Sequence, residues 1–170
     1  MSVTPFAGLA GAHDTRRASR LAAVQAIYQM ELTGVDADAV AREFIEHRFE
    51  HEPEMKSAGP ADEAFFAAIV TGVPVHQVEI DQSIAKCLAS DWRLERVDSI
   101  LRAILRAGAF ELISRHDVPA KVVIDEYLEI SHAFFTGDEP GFINAVLDKL
   151  ARRKRPNEFG EAPPKDELQF

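Results

Sequence analysis

Three groups of residues in this chain have types and spacing that suit chemistry. The first is His47-Arg48-Phe49-Glu50-His51, which fits the H-x-x-E-H pattern. In that pattern two histidines one helical turn apart hold zinc and the glutamate serves as a base. Its context argues otherwise: the five residues run out of a helix into an acidic, proline-containing stretch, and no third ligand motif follows. A solvated helix end is the expected reading, with no metal. The second is Cys87, beside Leu88 on an apolar-patterned helix, where a buried structural thiol is expected rather than a nucleophile. The sequence has no glycine-rich phosphate loop, no G-x-S-x-G elbow and no Cys-x-x-Cys pair. Neither an enzyme nor a bound cofactor is expected.

The third group is arginine. Arg16, Arg17 and Arg20 fall in the first turns of a helix, within roughly 100° of one another by the helical period. Cations there oppose the helix macrodipole, so local stability does not select them. The same end offers free backbone N–H groups suited to a phosphate. The three point to an anionic ligand, set against the plainer reading of three solvated surface charges. Arg102 and Arg106, at i and i+4, form a second basic strip or pair with nearby acids. The run from Lys149 to Arg155 reads equally as a ligand surface and as a charge complement to the C-terminus of its own helix.

Helices must position these groups. Residues 1–13, with Pro5, Gly8 and Gly11, read as a flexible arm. Asp14 or Thr15 caps a helix carrying Leu21, Val24, Ile27, Tyr28 and Leu32, which Gly34 stops. A second helix follows Asp36 or Asp38, with Val40, Phe44 and Ile45 on one side. Residues 51–60 read as a loop. Residues 62–91 read as a helix kinked or interrupted near Pro74. Further helices carry Val97, Ile104, Leu105 and Leu112; then Val123, Ile124, Tyr127 and Leu128 after Pro119; then Ile143, Val146, Leu147 and Leu150 up to Pro156. The expected fold is all-α, a bundle of six to seven helices over 14–156 in two subdomains, about 14–60 and 61–156. Residues 157–170 read as a disordered acidic tail.

Bulk properties agree. A chain of 170 residues supports one domain or two small subdomains. No apolar run approaches the roughly 20 residues that span a bilayer, no secretory leader pattern opens the chain, and the lone cysteine fits a reducing compartment. A cytoplasmic protein with no membrane attachment is expected. The net charge of −9 excludes a generic nucleic-acid coat and leaves room for local basic patches.

Four segments resemble the NusB transcription antitermination family, in that family's order and spacing. Arg16-Arg17-Ala18-Ser19-Arg20 through Gln25 and Tyr28 resembles its arginine-rich first helix, and Ile104 to Leu112 its central helix. Asp117-Val118-Pro119-Ala120-Lys121 through Asp125-Glu126 resembles its D-V-P-x-K segment, and Phe142 to Lys149 its F-V-N-G-V-L-D-K segment. The resemblance implies a NusB-like helical bundle that binds boxA RNA of ribosomal and phage transcripts with the ribosomal protein that doubles as NusE. That complex loads onto the RNA polymerase antitermination complex and suppresses termination.

Carried over by position, Arg16, Arg17 and Arg20 match the RNA-binding motif, with Gln25 and Tyr28 following it. Lys121, Phe142 and Lys149 fall on the expected RNA face, Arg102 and Arg106 extend the basic surface, and Asp138 and Glu111 are assigned to the partner. Tyr28 and Phe142 also lie at core spacing. The sequence departs from the family at Ala18 and Ser19, which dilute the arginine cluster, at Ala120 and at Asp125. Those changes imply a weaker grip on RNA or more reliance on the partner. Such a domain also precedes the catalytic part of certain ribosomal RNA cytosine methyltransferases, but no methyl-donor motif is present here. The alternative is a helical protein-interaction module or homodimer without direct RNA binding.

Overall fold

The computed structural model describes residues 12–49 and 61–167, with the backbone alone for 12–14. Most of the expected arm and the 51–60 loop lie outside the described residues, as do Glu50 and His51 of the histidine motif. The described residues form seven α-helices and no strand: α1 (Ala12–Thr33), α2 (Ala37–Glu43), α3 (Glu63–Val75), α4 (Gln77–Ala85), α5 (Ser99–Ser114), α6 (Ala120–Phe134) and α7 (Glu139–Lys154). The all-α expectation therefore stands. The chain divides into two compact units, residues 1–72 and 73–170, so the division expected near residue 60 falls inside α3 instead.

The first unit is built on an alanine-rich face of α1. Ala18, Ala22, Ala23 and Ala26 are buried with Val24 and Ile27, and small side chains there let another backbone come close. The Ser19 hydroxyl, fully buried, is shared between the carbonyls of Thr15 and, at 2.6 Å, Asp62, while the Asp62 N–H donates to Thr15 at 3.1 Å. These bonds pin the start of α3 to α1. Asp62 also caps α3, accepting from the Phe65 N–H at 3.0 Å. Ala18 and Ser19 thus fill inward positions, where arginine would displace packing. Phe44, Phe49 and Phe66 form an aromatic cluster with centroid separations of 5.0–6.4 Å. α2 passes into a π-helical turn at Phe44–Arg48. Gly34, at φ +71°, ends α1 and donates to the Met30 carbonyl at 2.8 Å, the left-handed cap its residue type suggests.

α3 ends one residue after Pro74 and α4 begins at Gln77, the interruption that a proline without an N–H enforces. In the second unit α5 is central and packs against α4, α6 and α7. Asp98 caps it, its carboxylate accepting from the Ile100 and Leu101 N–H groups. A Cβ added at Gly108 would stand 3.1 Å from both Leu147 methyls and 3.4 Å from the Tyr127 ring, so glycine is what lets α5, α6 and α7 approach here. Arg155, just past α7 and 4% exposed, donates to the carbonyls of Glu111, Leu112, Arg115 and Val118. A cation thereby gathers the carbonyls at and just past the C-terminus of α5, two of which, Glu111 and Arg115, also accept a backbone N–H.

Of the stretch read as a disordered tail, residues 157–167 are described. The chain there forms 3-10 turns at Pro156–Phe159 and Lys165–Glu167. Glu158 accepts from the Ala120 N–H at 2.9 Å, satisfying a donor at the start of α6.

Candidate nucleic-acid interface

α1 begins at Ala12, earlier than its expected cap, so Arg16 and Arg17 sit in its second turn with their own N–H groups inside the helical ladder. Any grip on an anion there comes from guanidinium groups, not from a free helix end. Phe65 and Asp62, both from the start of α3, set where two of the three arginines go. The Arg16 guanidinium lies 4.5 Å from the Phe65 ring centroid, with its Nε 4.0 Å from Asp62. Arg20 lies 4.9 Å from the same ring and is only 1% exposed. Arg20 is therefore a buried brace rather than the surface contact expected of it. Arg17 is exposed, and Gln25 and Tyr28 are half-buried. By the helical period Arg17, Leu21 and Tyr28 share one side of α1, with Gln25 at its margin.

Several expected contacts in the second unit turn inward. The Arg102 Nη1 donates to the carbonyls of Leu94 (3.1 Å), Glu95 (3.3 Å) and Val97 (2.6 Å), holding the 3-10 turn at Leu94–Arg96 closed. Arg106 makes a two-pronged pair with Asp81, 2.9 and 3.0 Å, that clamps α5 to α4. Glu111 is fully buried and accepts from the Tyr127 hydroxyl at 2.5 Å, which removes it from any partner surface. These three are built into the core because a buried charge demands such partners. Sequence periodicity marks helical faces but does not show which carbonyls a long side chain reaches.

What remains at the surface of this unit gathers on α6 and α7. Lys121 is exposed and lines a groove of about 450 Å³ with Asn144, Asp148, Arg152 and Phe159. Lys149 is exposed, and Phe142 is half-buried with its ring 5.5 Å from Trp92 at a 36° tilt. Trp92 is 51% exposed, and the aromatic pair borders a cleft of about 610 Å³ whose rim carries Arg96, Asp98, Asp138 and Glu139. Sequence reasoning missed Trp92, although a lone tryptophan among polar neighbours was the available signal. It also missed Asp62 and Phe65, whose roles depend on contacts more than forty residues away from the arginines.

His47 is exposed, with its ring nitrogen 3.8 Å from Glu46. Among the described residues no group of three or more His, Cys, Asp or Glu is placed to hold a metal ion. Cys87 is buried, and burial raises its thiol pKa above the ordinary value. No helix among the described residues is long and apolar enough to cross a membrane.

These features define an all-helical module that presents arginine on its first helix and, on its last, an exposed lysine and a half-buried phenylalanine. Residues 17–152 match the model of the NusB family, and the chain belongs to that family. It is 57% identical over 140 residues to the transcription antitermination protein NusB of Caulobacter vibrioides, covering 82% of this chain and 94% of that protein. It is 56% identical over 144 residues to the NusB protein of Maricaulis maris, covering 85% and 90%. Among solved structures, T. maritima NusB superposes with a TM-score of 0.68 at 26% identity, over 85% of this chain and 96% of that one.

Proposed function

We propose that this chain acts in transcription antitermination by binding the boxA element of nascent ribosomal RNA transcripts together with the ribosomal protein that doubles as NusE, the assembly then loading onto RNA polymerase. The observation that carries this reading is on α1, where Arg17 is exposed on one side with Tyr28 and, at its margin, Gln25, and Arg16 on the neighbouring side is braced on Phe65. A guanidinium stacked on a ring keeps its N–H fork in a fixed plane, which suits a phosphate or a base edge. Lys121, Lys149 and the Trp92–Phe142 pair supply the further cations and stacking surface that unpaired bases use. Arg20, Arg102 and Arg106 act by holding these elements in place. Asp138, exposed at the rim of the aromatic cleft, is the partner contact in this reading; Glu111 is left out of it. An acidic chain of net charge −9 suits a basic ribosomal partner.

The test is fluorescence anisotropy with a short boxA RNA at two salt concentrations, with and without the ribosomal partner. Partner-enhanced, salt-sensitive binding is expected. Replacing Arg16 and Arg17 with alanine should weaken it and flatten the log–log salt slope by about 1.4, from roughly 0.7 for each single-strand phosphate contact, in a chain that thermal unfolding shows is still folded. An unchanged slope would remove α1 from the site. Self-association with no salt-dependent RNA binding would point to a protein-only module.

A further inference from the structure

The end of α7 gathers cations that the chain's own acidic tail covers. Arg153 pairs with Asp166 and, at 3.4 Å, with Glu167; Lys154 pairs with Glu167 at 2.8 Å. Lys86, from just beyond α4, reaches Asp166 at 3.2 Å, and Arg152 pairs with Glu161. The carboxylates of Glu161, Asp166 and Glu167 occupy the places that phosphate oxygens would take against these guanidinium and ammonium groups. This basic surface also continues along the helix. Phe142, Lys149 and Arg153 recur at i, i+7 and i+11, one side of α7 about 16 Å long by the helical rise.

The covering segment is held by surface ion pairs on a stiffened turn. Gly160 turns the chain in the left-handed conformation at φ +66°, and Pro163–Pro164 then stiffens it, so little conformational freedom is lost when it docks. The turn at Lys165–Glu167 contains no buried residue. Asp166 and Glu161 are nearly half exposed, so their ion pairs are individually weak and screened by salt. Residues 156–159 differ in kind. Glu158 bonds to the start of α6 and Phe159 lies under Arg152 at 4.7 Å, so the fold continues that far.

We propose that residues 161–167 are a removable acidic strap that closes a phosphate-binding surface formed by Lys86, Arg152, Arg153 and Lys154, and that an RNA strand passing Phe142 and Lys149 takes the strap's place. The proposal rests on the RNA-binding reading for the identity of the ligand. It adds four cations to the site and a competitor carried by the chain itself.

The experiment uses the full chain with Asp166→Asn and Glu167→Gln together, both away from the core, and a fluorescein-labelled 20-nucleotide oligouridine at 50 and 200 mM salt. The doubly substituted chain should bind at least threefold tighter at 50 mM, with a steeper salt slope, and adding Arg153→Ala and Lys154→Ala should cancel the gain. Hydrogen exchange of the C-terminal peptide should rise when the RNA is added to the unsubstituted chain. Equal or weaker binding by the strap variant, or a C-terminal peptide whose exchange is unmoved at saturating RNA, overturns the proposal. Repeating the titration with Arg16→Ala and Arg17→Ala separates the two readings. A strap effect that survives there stands without the α1 site, and one lost only there makes the surface an extension of that site and overturns its independent grip.

Discussion

At the scale of single residues, the arginines divide by where each guanidinium ends. Arg155 and Arg102 are spent on backbone carbonyls, Arg106 on Asp81, and Arg20 lies buried beneath Phe65. Arg155→Leu leaves the Leu112 and Val118 carbonyls without a donor, each worth about 1–3 kcal/mol when stranded, whereas the Glu111 and Arg115 carbonyls keep the N–H groups of Arg115 and Val118. A drop of about 2 kcal/mol or more in urea unfolding is therefore expected. Arg17→Ala should change stability by no more than about 0.5 kcal/mol and act on RNA affinity alone. If both substitutions moved stability equally, this division would be wrong. Cys87 gives a further check: a buried thiol with a raised pKa should react with a disulfide reagent at pH 8 only when the chain is unfolded. The arginine motif was legible as a residue type at helical spacing, but its directions were not. The helical period puts Arg16, Arg17 and Arg20 on neighbouring sides, and it does not show that Phe65, from a distant helix, lies against the buried Arg20.

At the scale of elements, caps and close approaches account for most of what the helices do. Asp98→Ala removes the acceptor for two N–H groups at the start of α5 and should cost about 1 kcal/mol. Gly108→Val forces branched carbons against Leu147 and Tyr127 and should cost about 1–3 kcal/mol by overpacking. Both are read by thermal unfolding. Gly108→Val should not move RNA affinity while the chain stays folded. The helices were legible because apolar spacing, Gly34, Asp36, Pro74, Pro119 and Pro140 all mark the same boundaries. The division into units was not. A composition break at residues 51–60 suggested a boundary, whereas Phe65 and Phe66 tie the first half of α3 to the aromatic cluster and the Phe65 site. The tail misled for a related reason. Its proline-rich, acidic composition resembles disorder when read alone, and only the cations on α7 and at Lys86 give it somewhere to lie.

At the scale of the whole molecule, an excess of acid coexists with cations that face outward in patches or are covered by the chain's own carboxylates. That arrangement predicts a pH response. The Lys86 ammonium, assisted by Arg153, holds the Asp166 carboxyl below its ordinary range. A group whose pKa is lowered on docking favours the docked form above its free pKa and loses that preference as pH falls through the docked value. The strap should therefore hold at neutral pH and loosen only as pH falls below the ordinary aspartate range. Its release can be followed by the NMR shift of the Glu167 amide, with Asp166→Asn, which lacks the titrating group, as the control. A strap that detached between pH 8 and 5 would contradict the assignment. The Arg155 guanidinium has a consequence in time as well as in energy. The carbonyls it satisfies lie 37–44 residues earlier in the chain. During synthesis α5 is complete well before its C-terminal end can be closed, so the second unit must wait, half-finished, for a single late side chain to emerge.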